Sequence, residues 1–272
     1  MPRTTVRGIE LYYERNTSEA GAPRLLFING SGGDLRQKPG VFEGPLASHF
    51  DVLAHDQRGL GQSEIPDGPY SMADYAEDAA GLLDAVGWQS CAVIGVSFGG
   101  MVAQELAVRH PSRIERLVLC CTSPGGAGGH SYPLHELTEL PEAERTAKSL
   151  ELSDRRMDAD WRKANPDAFE QLFAMYAGRG DAGAGEPRRE LGQRLQFEAR
   201  AGLDVYDRLA SLTMPVLCCG GRYDGIAPPE NMQAIRDRIP GARLEFFEGG
   251  HLFMMQDREA YPKIIEFLTE RG

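Results

Sequence analysis

Short apolar runs alternate with longer amphipathic stretches along most of this chain. Residues 9–14, Arg24–Ile28, Asp51–His55, 92–96, 114–121, 215–219 and Arg243–Phe247 are rich in β-branched, aromatic or leucine side chains and predict strands. Between them, 41–50 has helical character, and Ser71 caps a helical pattern that runs to Val86. Residues 101–109 read as a helix stopped by Pro111, 229–239 as another, and a last helix runs to Arg271. Strands that alternate with helices predict a mostly parallel sheet flanked by helices on both faces. Ligands then bind outside the carboxyl ends of the strands.

The pattern changes from 125 to 203, where no strand is predicted and charged helical stretches are broken by Pro133, Pro141, Pro166 and a glycine-rich 180–185. This predicts a helical insertion, or cap, at 125–203 within a core made of 1–124 and 204–272. Asn165 followed by Pro166 and Asp167 predicts a helix start. Phe169, Leu172, Phe173 and Tyr176 then recur at helical spacing, as packing that partly lines a pocket.

Composition narrows the partners. At 272 residues the chain can bury a substantial core, and its formal charge of −11 repels phosphate backbones, so no nucleic acid partner is expected. Residues 1–7 lack the apolar core of a signal peptide and no stretch suffices to span a bilayer, which predicts a cytoplasmic protein, monomer or homodimer, away from the membrane. Four of the five cysteines form the adjacent pairs Cys120-Cys121 and Cys218-Cys219 inside apolar runs, so burial as free thiols is expected. No Cys-x-x-Cys or His-x-x-x-His spacing suggests a metal site.

The chemistry sits at Gly95-Val96-Ser97-Phe98-Gly99, where an apolar strand turns into a helix. A serine on so tight a turn needs small neighbours two residues away on either side, and Gly95 and Gly99 meet that need. The motif arises by chance about 0.1 times in a chain of this length, so it requires support from elsewhere. A serine hydroxyl needs a base, and the base a carboxylate to hold its tautomer. Asp224 and His251 each follow a predicted strand, which brings both to the sheet edge that carries Ser97. Asp224-Gly225 taken alone is also a common turn, and His251 a polar helix start. His49 and His110 read as helix ends, His55 as a neighbour of a structural loop, and His130 and His135 as part of the insertion. Oxyanion donors are expected from the Phe98 amide at the helix N-terminus and from Ser31, in the loop Asn29-Gly30-Ser31-Gly32-Gly33.

These motifs, with Asp56-Gln57-Arg58-Gly59-Leu60-Gly61-Gln62-Ser63, Gly221-Arg222-Tyr223-Asp224 and Gly249-Gly250-His251, resemble those of the α/β-hydrolase superfamily over nearly the whole chain. The resemblance implies an α/β-hydrolase fold with an eight-stranded sheet, a helical cap and a cofactor-free serine hydrolase with Ser97, Asp224 and His251 as its triad. It gives the 56–63 loop a structural role. The pattern is most similar to small carboxylesterases and 3-oxoadipate enol-lactonases, with Asn29 where the oxyanion loop usually carries His. The implied substrate is a small ester, thioester or lactone. Phe98, Met101, Phe253 and Met254 flank the catalytic positions and the insertion offers Trp161, Phe169, Phe173 and Tyr176, so an apolar or aromatic acyl group is expected, with a core or a pocket role open to each of these side chains. Carbon–carbon hydrolases of this fold usually have Asn before the serine and Trp after the histidine, where Val96 and Leu252 stand. A carbon–carbon hydrolase, lyase or perhydrolase on the same triad stays open, as does a receptor without activity.

Overall fold

The computed structural model describes residues 2–16, 21–178 and 182–270, apart from the side chains at 138 and 175–178. Its strands are β1 (Arg3–Val6), β2 (Ile9–Arg15), β3 (Arg24–Ile28), β4 (Asp51–His55), β5 (Cys91–Val96), β6 (Ile114–Cys120), β7 (Val216–Gly221) and β8 (Arg243–Phe247). They form one eight-stranded sheet in the order β1-β2-β4-β3-β5-β6-β7-β8. β2 pairs antiparallel with both β1 and β4, and the remaining pairings are parallel, as alternating strands and helices require. The chain therefore has the α/β-hydrolase fold. β1 escapes the hydrophobic pattern because Val6 is the one buried residue of its four, leaving no alternation to read.

Apolar side chains fill both faces of the sheet. On one face the helices α1 (Met72–Ala85) and α2 (Phe98–Arg109) bring Tyr75, Leu82, Val102 and Leu106 onto Leu26, Val93 and Leu117. On the other, Leu25, Ile94, Val118 and Cys219 pack with Phe50, Ile264 and Phe267. Ser71 starts α1 as predicted: its hydroxyl accepts from the Asp74 amide at 3.2 Å, and the Asp74 carboxylate accepts from the Ser71 amide at 3.0 Å. The predicted helix at 41–50 is instead two 3-10 turns, Val41–Glu43 and Pro45–Ser48. Pro45 lacks an amide hydrogen and forces Gly44 into an extended conformation, at ψ 174°, which divides the segment.

Between β6 and β7 lie α3 (Glu142–Ser153), α4 (Ala159–Ala164), α5 (Pro166–Gly178) and α6 (Arg189–Ala201), and no strand occurs among the described residues there. The two ends of this segment meet where Gly125 and Asp204 form an antiparallel bridge. A Cβ on Gly125, whose φ is +70°, would lie 2.0 Å from the Leu203 carbonyl, so glycine is required at that junction. Phe169 and Phe173 meet on the same face of α5 with ring centroids 5.8 Å apart and ring planes tilted by 56°, whereas the Tyr176 side chain falls outside the described residues. After β7 come α7 (Pro229–Arg238), α8 (Phe253–Gln256) and α9 (Ala260–Thr269), and the predicted last helix residue, Arg271, lies outside the described residues. No helix of the described residues is long and apolar enough to cross a membrane.

Candidate active site

β5 delivers Ser97 to the carboxyl edge of the sheet in a conformation few residues adopt, with φ 54° and ψ −116°. The neighbouring backbones explain the glycines. A Cβ on Gly95 would lie 2.3 Å from the Gly99 carbonyl oxygen, and one on Gly99 would lie 2.0 Å from that of Ile28. The turn is held by the Ser97 amide donating to Cys120 O at 2.8 Å and by the Thr122 hydroxyl donating to Ser97 O at 2.8 Å. With both its amide and its carbonyl bonded, the Ser97 backbone is held in this conformation.

Asp224 and His251 arrive on the loops after β7 and β8. The Ser97 Oγ and His251 Nε2 are 3.0 Å apart, and His251 Nδ1 and Asp224 Oδ2 are 2.7 Å apart. Asp224 is fully buried, and its other oxygen accepts from the Ile226 and Ala227 amides, both at 2.8 Å. Those bonds leave one oxygen for the imidazole and set its direction. The His251 loop is seated on α3: its amide donates to Ser153 O at 2.6 Å, and a Cβ on Gly250 would meet that oxygen at 1.9 Å. The three residues predicted to converge from distant positions thus form one hydrogen-bonded chain.

Of the two predicted oxyanion residues, Phe98 follows Ser97 in the chain and Ser31 follows Gly30 in the loop beside it. Gly30 brings the preceding loop so close that its Cβ position is 3.5 Å from Ser97 Cβ. Among the described residues, neither the Ser31 nor the Phe98 amide has an acceptor, whereas Gly33 closes the turn by donating to Gly30 O at 3.2 Å. Of the core and pocket roles open to the Phe98, Met101 and Phe253 side chains, the core is the one observed. All three are buried in the two cores, with Phe98 edge-on to Tyr75 at 4.9 Å and Phe253 stacked on Phe247 at 5.1 Å. Met254 packs on the same core as Phe253. A helix residue next to a turn follows its own helix face, which here points into the core.

Two polar residues of this region escape sequence reading, Gln196 and Arg200 on α6. Gln196 Oε1 accepts from the Gly32 amide at 2.9 Å, and an Arg200 Nη donates to Tyr132 O at 2.9 Å. Their signal was available: both are polar residues at helical spacing on the face that also carries Leu195 and Ala199. The 56–63 loop is buried and bonded to its surroundings, with Asp56 accepting from the Leu35 and Gln62 amides at 2.7 and 2.8 Å. Arg58 forms a two-pronged ion pair with Asp78 at 2.6 and 2.8 Å. His110 contacts Glu77, and His55 is buried beside that loop.

Cys121, Asp224 and His251 place potential metal-ligand atoms within 4.8 Å of one another. The donor chemistry does not suit a cation, because the histidine and aspartate face each other in a hydrogen bond. Burial and the Asp224 charge also push the Cys121 thiol well up, keeping it neutral and a poor ligand.

A family model for the alpha/beta hydrolase fold matches residues 23–257. A 2-hydroxymuconate semialdehyde hydrolase of Pseudomonas putida is 32% identical over 92% of this chain and 88% of its own. A 3-oxoadipate enol-lactonase of Acinetobacter baylyi is 24% identical, covering 98% of this chain and 96% of its own. Among solved structures, the enol-lactonase of Burkholderia xenovorans LB400 superposes with a TM-score of 0.79 at 27% identity, covering 99% of this chain and all of that one. Sheet order, motif placement and these relatives agree: the chain belongs to the α/β-hydrolase family and is an enzyme of the hydrolase type.

Proposed function

We propose that the protein is a serine hydrolase that cleaves a small carboxylic ester, thioester or lactone through an acyl-enzyme, with Ser97 as nucleophile, His251 as base and Asp224 as its orienting carboxylate. The observation that carries this reading is the continuous Ser97–His251–Asp224 hydrogen-bonded chain at a strained turn. His251 takes the hydroxyl proton as Ser97 Oγ bonds to the carbonyl carbon, and Asp224 stabilises the imidazolium. The negative charge that develops on the carbonyl oxygen is received by the Ser31 and Phe98 amides, each worth about 3 kcal/mol in the transition state. Collapse expels the alcohol, thiol or ring oxygen, which takes the proton from His251. Water then enters, loses a proton to His251 and releases the acid. The helices of 125–203 act as a cap over this centre, with Ser153 and Gln196 fixing its two sides.

A fluorophosphonate probe tests the nucleophile directly. The wild type is expected to be labelled and Ser97→Ala not, with turnover of the best substrate in an ester, thioester and lactone panel falling on the order of 10^6-fold. A folded wild type that takes no label refutes the reading. A second reading, hydrolysis of a carbon–carbon bond on the same residues, is favoured by the Pseudomonas putida relative's own named activity. Product analysis separates the two: that reading requires a new C–H bond in the leaving fragment where ester cleavage leaves a hydroxyl.

A further inference from the structure

Arg200 is a cation placed where a cation is costly. It is 8% exposed, on the face of α6 turned to the core, and forms no ion pair with a carboxylate among the described residues. One Nη donates to the Tyr132 carbonyl, and no other partner of the guanidinium is found among the described residues. Burial draws its pKa down to about 10, which still leaves it charged at neutral pH. An uncompensated buried charge costs several kcal/mol of stability.

The surroundings give that cost a purpose. One helical turn earlier on the same face, Gln196 is 1% exposed and its Nε2 has no acceptor among the described residues, although its Oε1 holds the Gly32 amide. The Ser31 hydroxyl, buried in that same loop beside Ser97, is also without a partner. On the far side, Tyr132, which receives Arg200, donates its own amide to Ile226 O at 2.7 Å, and Ile226 donates to Asp224 at 2.8 Å. The 196–200 turn therefore spans from the loop that flanks Ser97 to the loop that carries Asp224. Unpartnered donors line that span.

We propose that Arg200 and Gln196 form a carboxylate subsite, so that the substrate is an acyl compound bearing a free carboxylate in addition to the bond that is cleaved. The inference rests on the hydrolase reading for the bond that breaks, and on α6 for the group that is recognised. A carboxylate matches the planar guanidinium fork and accepts from the Gln196 amide as well, which a neutral acyl chain cannot do. The chain's net charge of −11 would otherwise repel such a substrate, and one buried cation reverses the field locally, within the screening length of about 8 Å.

Binding to the Ser97→Ala protein tests this without requiring turnover. Monomethyl succinate, glutarate and adipate are titrated by calorimetry beside their dimethyl esters. At least one monomethyl ester is expected to bind 10-fold or more tightly than its dimethyl counterpart. Adding Arg200→Gln should bring that ratio to within about 2-fold, and Arg200→Lys should retain part of it. Thermal unfolding checks that each variant is folded, and the Lys variant carries the test if the Gln variant is not. Equal binding of the two ester series, no binding of either, or a preference unchanged in a folded Arg200 variant overturns the subsite. Failure of the probe to label the wild type refutes the hydrolase reading alone and leaves this ratio to be judged on its own.

Discussion

Gly99 has no room for a side chain, since a methyl group there would enter the Ile28 carbonyl at 2.0 Å and that of Asn29 at 2.5 Å. Both obstacles are backbone, so relief requires β3 and α2 to move apart. Gly99→Ala is expected to cost 3 kcal/mol or more, read as a fall in urea midpoint, and to abolish probe labelling even where the protein folds. The steric demand was legible in the sequence, because a glycine two residues from a serine at a strand–helix switch has few other reasons to exist. His55 shows the opposite case: its burial could not be read from a residue type that serves surface and core alike. Burial without a partner on Nδ1 pulls its pKa down to about 4 from an ordinary 6.5. A depressed folded pKa stabilises the native state above the unfolded pKa and loses that contribution as pH falls from 6.5 to about 4. His55→Phe should therefore lose less stability than the wild type between pH 7 and pH 4.5, measured as urea midpoints at the two values.

Elements were legible where their apolar pattern is local. β5, β6 and β7 are continuous apolar runs, and α1 announces itself by the Ser71 and Asp74 capping box. β1 was hidden because its order comes from pairing with β2, and the 41–50 segment was misread because Pro45 overrules its helical composition. The Arg58–Asp78 pair joins the loop after β4 to the buried face of α1, a contact between residues 20 positions apart that no local pattern encodes. Asp78 is 1% exposed and Arg58 8%, so Asp78→Ala would strand a buried guanidinium with Asp74 as a distant partner at 3.8 Å. A loss of about 3 kcal/mol is expected by chemical denaturation. A milder loss in the Asp78→Ala, Arg58→Met double variant would show that the penalty is the unpaired charge.

For the whole molecule, all five cysteines are free and buried, and burial raises the thiols of Cys91 and Cys218 to about 12. Native protein is expected to react with Ellman's reagent far more slowly than unfolded protein, which should yield five equivalents. Rapid native reaction at one thiol would locate an opening of the sheet. α6 meets the core so closely that a Cβ on Gly192 would lie 1.9 Å from the Gly59 carbonyl. Gly192→Val should lift the helix, loosen the contacts of Gln196 and Arg200, and weaken substrate capture more than probe labelling, seen as a raised KM. By itself the sequence determined the alternation of strands and helices, the strained serine turn and the order of its partners, because each depends on short-range sterics and on loops at the ends of apolar runs. Only the tertiary structure decided which side chains meet: Phe98 turned into the core, while Gln196 came from more than 160 positions away to hold the Gly32 amide, and Arg200 to hold the Tyr132 carbonyl. Which face of a helix is covered, and by what, is a property of the packing partner rather than of the helix.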